Sequence, residues 1–129
     1  MEEEIRWIVT DPLGNDIILK EQTFTEHIQD DHQVKDSANR AAVEEQVKYT
    51  IQCPRFIIKN GIEGRFKYLD LVDIIEGDII KIKTLTVVVD YNNSNAVVTW
   101  MIKRSINYST DEGEIIYDAR KRMVAGTDL

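Results

Sequence analysis

The run Thr84-Leu85-Thr86-Val87-Val88-Val89 constrains what this chain can fold into more than any other segment. Five of its six side chains are β-branched, stiff at χ1 and suited to a pleated surface. The run has the length of a buried strand. No apolar stretch in the chain approaches the roughly 20 residues of a membrane span, so no membrane association is expected.

Around that run the punctuation is regular. Ile5–Thr10 and Asp16–Lys20 read as two strands joined by the turn Asp11-Pro12-Leu13-Gly14-Asn15, in which Pro presets φ and Gly or Asn accepts φ > 0. A helix comes next, capped by Thr23 or Thr25. Glu26 stands three residues after Thr23 as in a capping box, and Phe24 and Ile28 form the apolar stripe. A second helix begins near Ser37, is carried by Val43, Val47 and Ile51 at four-residue spacing, and stops at Pro54. Strands are then predicted at 56–58, 65–72, 79–91 and 96–105. Residues 115–117 read as a last edge strand or a helix start, and 123–129 as a frayed tail. Segregated helices and strands imply an α+β fold: an N-terminal hairpin, two helices on one sheet face, then an antiparallel sheet of about four strands. With 129 residues, a single domain spanning 1–129 is expected.

Cys53 is the only cysteine, which excludes an internal disulfide and a cysteine-built zinc site. A buried structural thiol is expected there. The N-terminus, Met1-Glu2-Glu3-Glu4, lacks the basic region and apolar core of a secretory signal, so a cytoplasmic location is expected. Charge is unevenly spread. Residues 1–50 hold twelve acidic and five basic side chains, whereas 51–129 hold eleven of each. That distribution argues against general duplex binding. It leaves room for a local basic groove built from Lys59, Arg65, Lys67, Lys81, Lys83, Lys103 and Arg104, which otherwise read as a solvated strand surface.

His27 and His32 are the only histidines and the only side chains whose ordinary pKa lies near neutrality. On an α-helix they stand roughly 140° apart and cannot clamp one metal, so no metal and no cofactor are expected. One of them can reach a groove beside the sheet, or both can lie on a solvated helix face. On the strand 96–105, period two puts Val98, Trp100, Ile102 and Arg104 on one face and Thr99, Met101, Lys103 and Ser105 on the other. The second set suits either a ligand face or ordinary solvent. No phosphate loop, dinucleotide fingerprint, nucleophile elbow or HExxH motif occurs.

The strand leading into Asp11-Pro12-Leu13-Gly14, the His27-Ile28 step with His32 beyond it, the Cys53-Pro54 step, and the pair Leu85–Val89 and Val97-Val98-Thr99 together carry a resemblance. From about Trp7 to Tyr117 the chain resembles the small phage- and toxin-associated nuclease domains of the barnase–EndoU–colicin–RelE group. The resemblance implies a ribonuclease: metal-independent endonucleolytic cleavage of RNA by histidine general acid/base catalysis. His27 would then be acid or base, and His32 would assist or position. Thr99 and Lys103 would bind the phosphate, with Arg104 replacing Lys103 if the register slips, and Tyr117 would stack or donate.

The acidic N-terminal half supports a competing expectation. A non-catalytic binding module, immunity- or antitoxin-like, or an inactive member of the same fold, would meet a basic protein partner through Glu2, Glu3, Glu4, Asp30, Asp31, Asp36, Glu44 and Glu45.

Overall fold

The computed structural model describes residues 4–29, 37–59, 61–103 and 114–121. The predicted tail at 123–129 lies outside the described residues. The strands are β1 (Ile5–Thr10), β2 (Asp16–Lys20), β3 (Phe56–Lys59), β4 (Arg65–Glu76), β5 (Ile79–Asp90), β6 (Ala96–Lys103) and β7 (Glu114–Asp118). They form one curled, mixed sheet in the order β1-β2-β6-β5-β4-β3-β7. The helices are α1 (Glu21–Thr23), running directly into a π-helical turn (Phe24–Gln29), then α2 (Ser37–Ala42) and α3 (Glu44–Gln52).

This mostly β architecture corrects the expectation of an α+β domain with a four-stranded antiparallel sheet under two helices. One reason is the N-terminal hairpin, which joins the main sheet instead of standing beside it. Ile18 pairs in parallel with Ala96, and its backbone N–H donates to the Asn95 carbonyl at 3.1 Å. The other reason is that the helical segments are short. Val43 leaves helical geometry (φ −95°, ψ 17°) and separates α2 from α3. The chain after α1 widens into π geometry, where bonds run i→i+5. Cys53, at φ −137° and ψ 63°, has left the helix before Pro54. It is exposed, not the buried thiol expected, because it sits past the last helical turn.

Much of the local reading holds. Phe24 and Ile28 are buried, as are Val43, Val47 and Ile51. With Leu19, Tyr68, Val87 and Trp100 they belong to one core between the helices and a sheet face. In β3 Phe56, Ile57 and Ile58 are all buried. Ile57 joins the main core, while Phe56 and Ile58 meet Leu69 in a second cluster. Alternating side chains point to opposite faces, so β3 is covered on both.

Three devices hold the strands and helices in register. Asp11 is buried and closes the first turn by accepting from the backbone N–H groups of Leu13 (2.9 Å) and Asn15 (2.8 Å). Arg6 on β1 donates to Glu21 at 2.6 Å and to both oxygens of Glu44, and its guanidinium lies 3.8 Å over the Phe24 ring. This ties β1 to α1 and α3. Finally, β4 and β5 pair along their whole lengths, from Arg65↔Asp90 to Glu76↔Ile79. Their two-residue turn, Gly77-Asp78, has Gly77 at φ +62°, which suits a type II′ hairpin with glycine first. No helix among the described residues is long and apolar enough to cross a membrane.

Candidate functional site

A cleft of about 440 Å³ opens where the end of β2, the π-helical turn, the start of β6 and the open ends of β4 and β5 converge. Lys20 enters it from the last position of β2, Thr23 from α1 and His27 from the π turn. Arg65, Asp90, Asn93 and Thr99 line the facing wall.

Each wall has a local cause. His27 is exposed and lies next to Ile28, whose burial anchors the π turn in the core. Such turns are frequent at functional sites. Arg65 and Asp90 are direct cross-strand partners. They form no ion pair with each other, and among the described residues the Arg65 guanidinium makes no hydrogen bond. Gly64, at φ +83°, precedes Arg65, and a Cβ there would come within 2.2 Å of the Asn92 amide nitrogen. The Gly64 carbonyl accepts from the Tyr91 backbone N–H at 2.7 Å. The turn after β5 is held by the Asp90 carboxylate, which accepts from the Asn92 backbone N–H at 2.9 Å. Ser94 and Asn95 take φ of 59° and 54°, a conformation Asn tolerates.

Thr99 is set from behind. Arg40 of α2 is buried and donates to the Trp100 carbonyl at 2.9 Å and to the Thr99 hydroxyl at 2.6 Å. The Trp100 indole donates back to the Arg40 carbonyl at 2.8 Å. With its oxygen accepting from Arg40, the Thr99 hydroxyl keeps its own proton to donate. A bulge between Val88 and Val89 shifts the β5–β6 register at the point where Val97, Val98 and Thr99 line the cleft. Strict period-two reading of this strand therefore fails there.

Of the residues selected from sequence, His27 and Thr99 meet in this cleft. Lys103 does not line it. It is the last residue of β6, opposite Thr84, about 13 Å along the strand from Thr99 at ordinary strand rise. Tyr117 lies on β7 opposite Ile57, packed against the core, and β3, β4 and β5 separate it from β6. His32 and Arg104 lie outside the described residues. The cations in the cleft are Lys20 and Arg65. Arg65 belonged to the basic set read from the sequence. Lys20 carried no signal beyond its place at a strand end just before the helical segment.

The cleft combines two cations, an imidazole, two hydroxyls and one carboxylate. That set suits an anionic ligand with a titratable group beside it. Among the described residues no three His, Cys, Asp or Glu side chains come together to hold a metal ion. The fold and site thus define a curled mixed-sheet domain with a cationic side cleft. Comparison with protein-family models, with curated proteins and with solved structures finds no match to this chain.

Proposed function

We propose that the cleft binds the phosphodiester backbone of RNA and cleaves it by transesterification, with His27 moving a proton. The observation that carries this reading is the placement of His27 together with Lys20, Arg65 and Thr99 around one cavity. The 2′-oxygen of the ribose attacks the adjacent phosphorus, and the bond from phosphorus to the 5′-oxygen breaks. The products are a 2′,3′-cyclic phosphate and a 5′-hydroxyl. The Asp90 carboxylate takes the 2′-hydroxyl proton, and His27, as imidazolium, supplies the one the 5′-oxygen needs. Arg65 and Lys20 offset the charge gathering on the phosphorane, and the Thr99 hydroxyl donates to one of its oxygens. Lys103 and Tyr117 have no part in this assignment.

The competing reading, an acidic face for a basic protein, rests on Glu2, Glu3, Glu4, Asp30, Asp31, Asp36, Glu44 and Glu45. Of these, Glu44 is occupied by Arg6 and Glu45 pairs with Lys48, while Glu2, Glu3, Asp30, Asp31 and Asp36 lie outside the described residues.

The test is incubation of purified protein with a labelled single-stranded RNA in EDTA, read on a denaturing gel. Cleavage is expected to fall about 10²–10⁴-fold in His27→Ala. Arg65→Ala is expected to weaken RNA binding and flatten its salt dependence. A wild-type protein that neither cuts nor binds RNA sinks the proposal. Binding without cutting reduces it to an RNA-binding cleft.

A further inference from the structure

The β4–β5 hairpin outruns its neighbours. β3 pairs with β4 only over Phe66–Leu69, and β6 pairs with β5 only over Thr84–Asp90. From Leu71 to Lys83 the hairpin is a two-stranded arm whose described hydrogen-bond partners are its own two strands. Directly opposed residues in an antiparallel pair project from the same face. Leu71↔Thr84, Asp73↔Ile82 and Ile75↔Ile80 therefore share one face, while Val72↔Lys83, Ile74↔Lys81 and Glu76↔Ile79 share the other. The second face is accounted for. Val72 and Ile74 are buried in the core, and Glu76 pairs with Lys81 at 2.8 Å and Lys83 at 3.3 Å. The first face is apolar and open: Leu71 is 46%, Ile75 73%, Ile80 67% and Ile82 64% exposed. Asp73 is its one charge.

We infer that this face is covered by the same face of a second copy of the chain, packed across a twofold axis. Four aliphatic side chains at these exposures present on the order of 500 Å² of apolar surface, at the upper end for the largest patch of a monomer. A standard interface takes roughly 800 Å² from each partner, so these side chains supply most of one half, and the ribbon backbone and Ile79 lie close by for the rest. Charge favours a like partner. The segment 71–83 holds three acids and two lysines, and the half of the chain from 51 to 129 is neutral overall. Two copies meeting here keep their acidic N-terminal halves apart and so lower the repulsion from the net −7 of each chain. A partner chosen by opposite charge would find little to hold on this face. An isologous contact also covers both patches at once and shields a two-stranded ribbon that is marginal alone in water. The RNA cleft sits at the other end of the same hairpin, at Arg65 and Asp90, so this interface stands or falls independently of the ribonuclease reading.

Sedimentation velocity of the full chain from micromolar to several hundred micromolar tests it. Wild type is expected to pass from monomer to dimer over that range. Ile80→Glu, which would bury an unpaired carboxylate, is expected to raise the dissociation constant at least about 30-fold. Its far-UV dichroism and melting temperature should stay at wild-type values, because Ile80 is exposed in the single chain. As a second measurement, hydrogen exchange of the 71–83 amides in wild type should slow as protein concentration rises. The inference is overturned by a wild type that stays monomeric throughout, by undiminished dimerisation of Ile80→Glu, or by exchange that does not change with concentration. In that last outcome, protected arm amides at every concentration would assign the cover to the chain's own residues.

Discussion

The carboxylate of Asp11 is where the first turn and the middle of the sheet meet. One oxygen accepts from the Leu13 and Asn15 backbones. The other accepts from the Asn15 side chain at 3.2 Å and the Tyr68 hydroxyl, with the Tyr91 hydroxyl 3.3 Å away and in contact with Tyr68. Tyr68 is fully buried, so its hydroxyl has no water to turn to. Asp11→Ala leaves the two phenolic hydroxyls with only each other as partners and opens the turn. Its expected cost is roughly 3–5 kcal/mol, the range for removing a charged partner from a buried hydrogen-bonded set. Asp11→Asn keeps the size and one acceptor oxygen and should cost clearly less. Urea unfolding of the two variants checks this, and equal losses would show that the oxygen facing the tyrosines, not the turn, sets the cost. The sequence marked Asp11 only as a turn residue. Tyr68 and Tyr91 lie 57 and 80 positions away, and no local pattern joins residues so distant.

Among the elements, the cleft wall depends on two turns pressed together, the one ending in Gly64 and the one running from Tyr91 to Asn95. Gly64→Ala carries two penalties: a side chain forced to φ +83° and a Cβ driven into the Asn92 amide. The first costs about 1–2 kcal/mol, and the second adds displacement of the turn that carries Asn93 into the cleft. The expected result is a melting temperature lower by about 4–10 °C for a domain of this size, together with weaker RNA binding. In Gly64→Ala/Asn92→Ala the clash is gone and the φ strain remains, so stability should recover in part and not in full. Full recovery would mean that the backbone tolerates the strain. Legibility at this scale was uneven for physical reasons. Strands bounded by turn formers and helices with four-residue apolar spacing could be read, because those signals are local. The Gly77-Asp78 turn carries a weak signal, because the exposed Ile75, Ile79 and Ile80 beside it continue the apolar run past the core. The π geometry of Phe24–Gln29 leaves the same apolar stripe as an α-helix and so hides behind it. The histidine and threonine of the cleft were legible as chemistry. The meeting of Lys20 and Arg65 in one cleft was not, because it depends on the long-range pairing of β2 with β6, β6 with β5 and β5 with β4.

The β2–β6 bridge makes the hairpin and the central strands one sheet, so titrations at its joints act on the stability of the whole molecule. On the acid side, the hydrogen bond from Arg6 holds the Glu44 carboxyl below the usual carboxylate range, helped by the Trp7 indole. A depressed acid stabilises the fold above its unfolded pKa, and that contribution is lost as pH falls through the folded value. On the alkaline side, burial pushes the Tyr91 hydroxyl up to about 12. Burial first, and then the hydrogen bond to Asp11, moves Tyr68 upward further still. An unfolded tyrosine titrates near 10. Between about pH 10 and 12 the unfolded chain therefore gives up protons that the folded chain retains, and stability falls as pH rises through that window. Tyr91→Phe removes one of the two groups, leaving Tyr68 bonded to Asp11. Denaturant midpoints at pH 9 and pH 11.5 should therefore drop less in Tyr91→Phe than in wild type, without becoming level. An equal drop in both proteins would mean that Tyr91 has no part in the alkaline loss, leaving it to Tyr68 and the lysines.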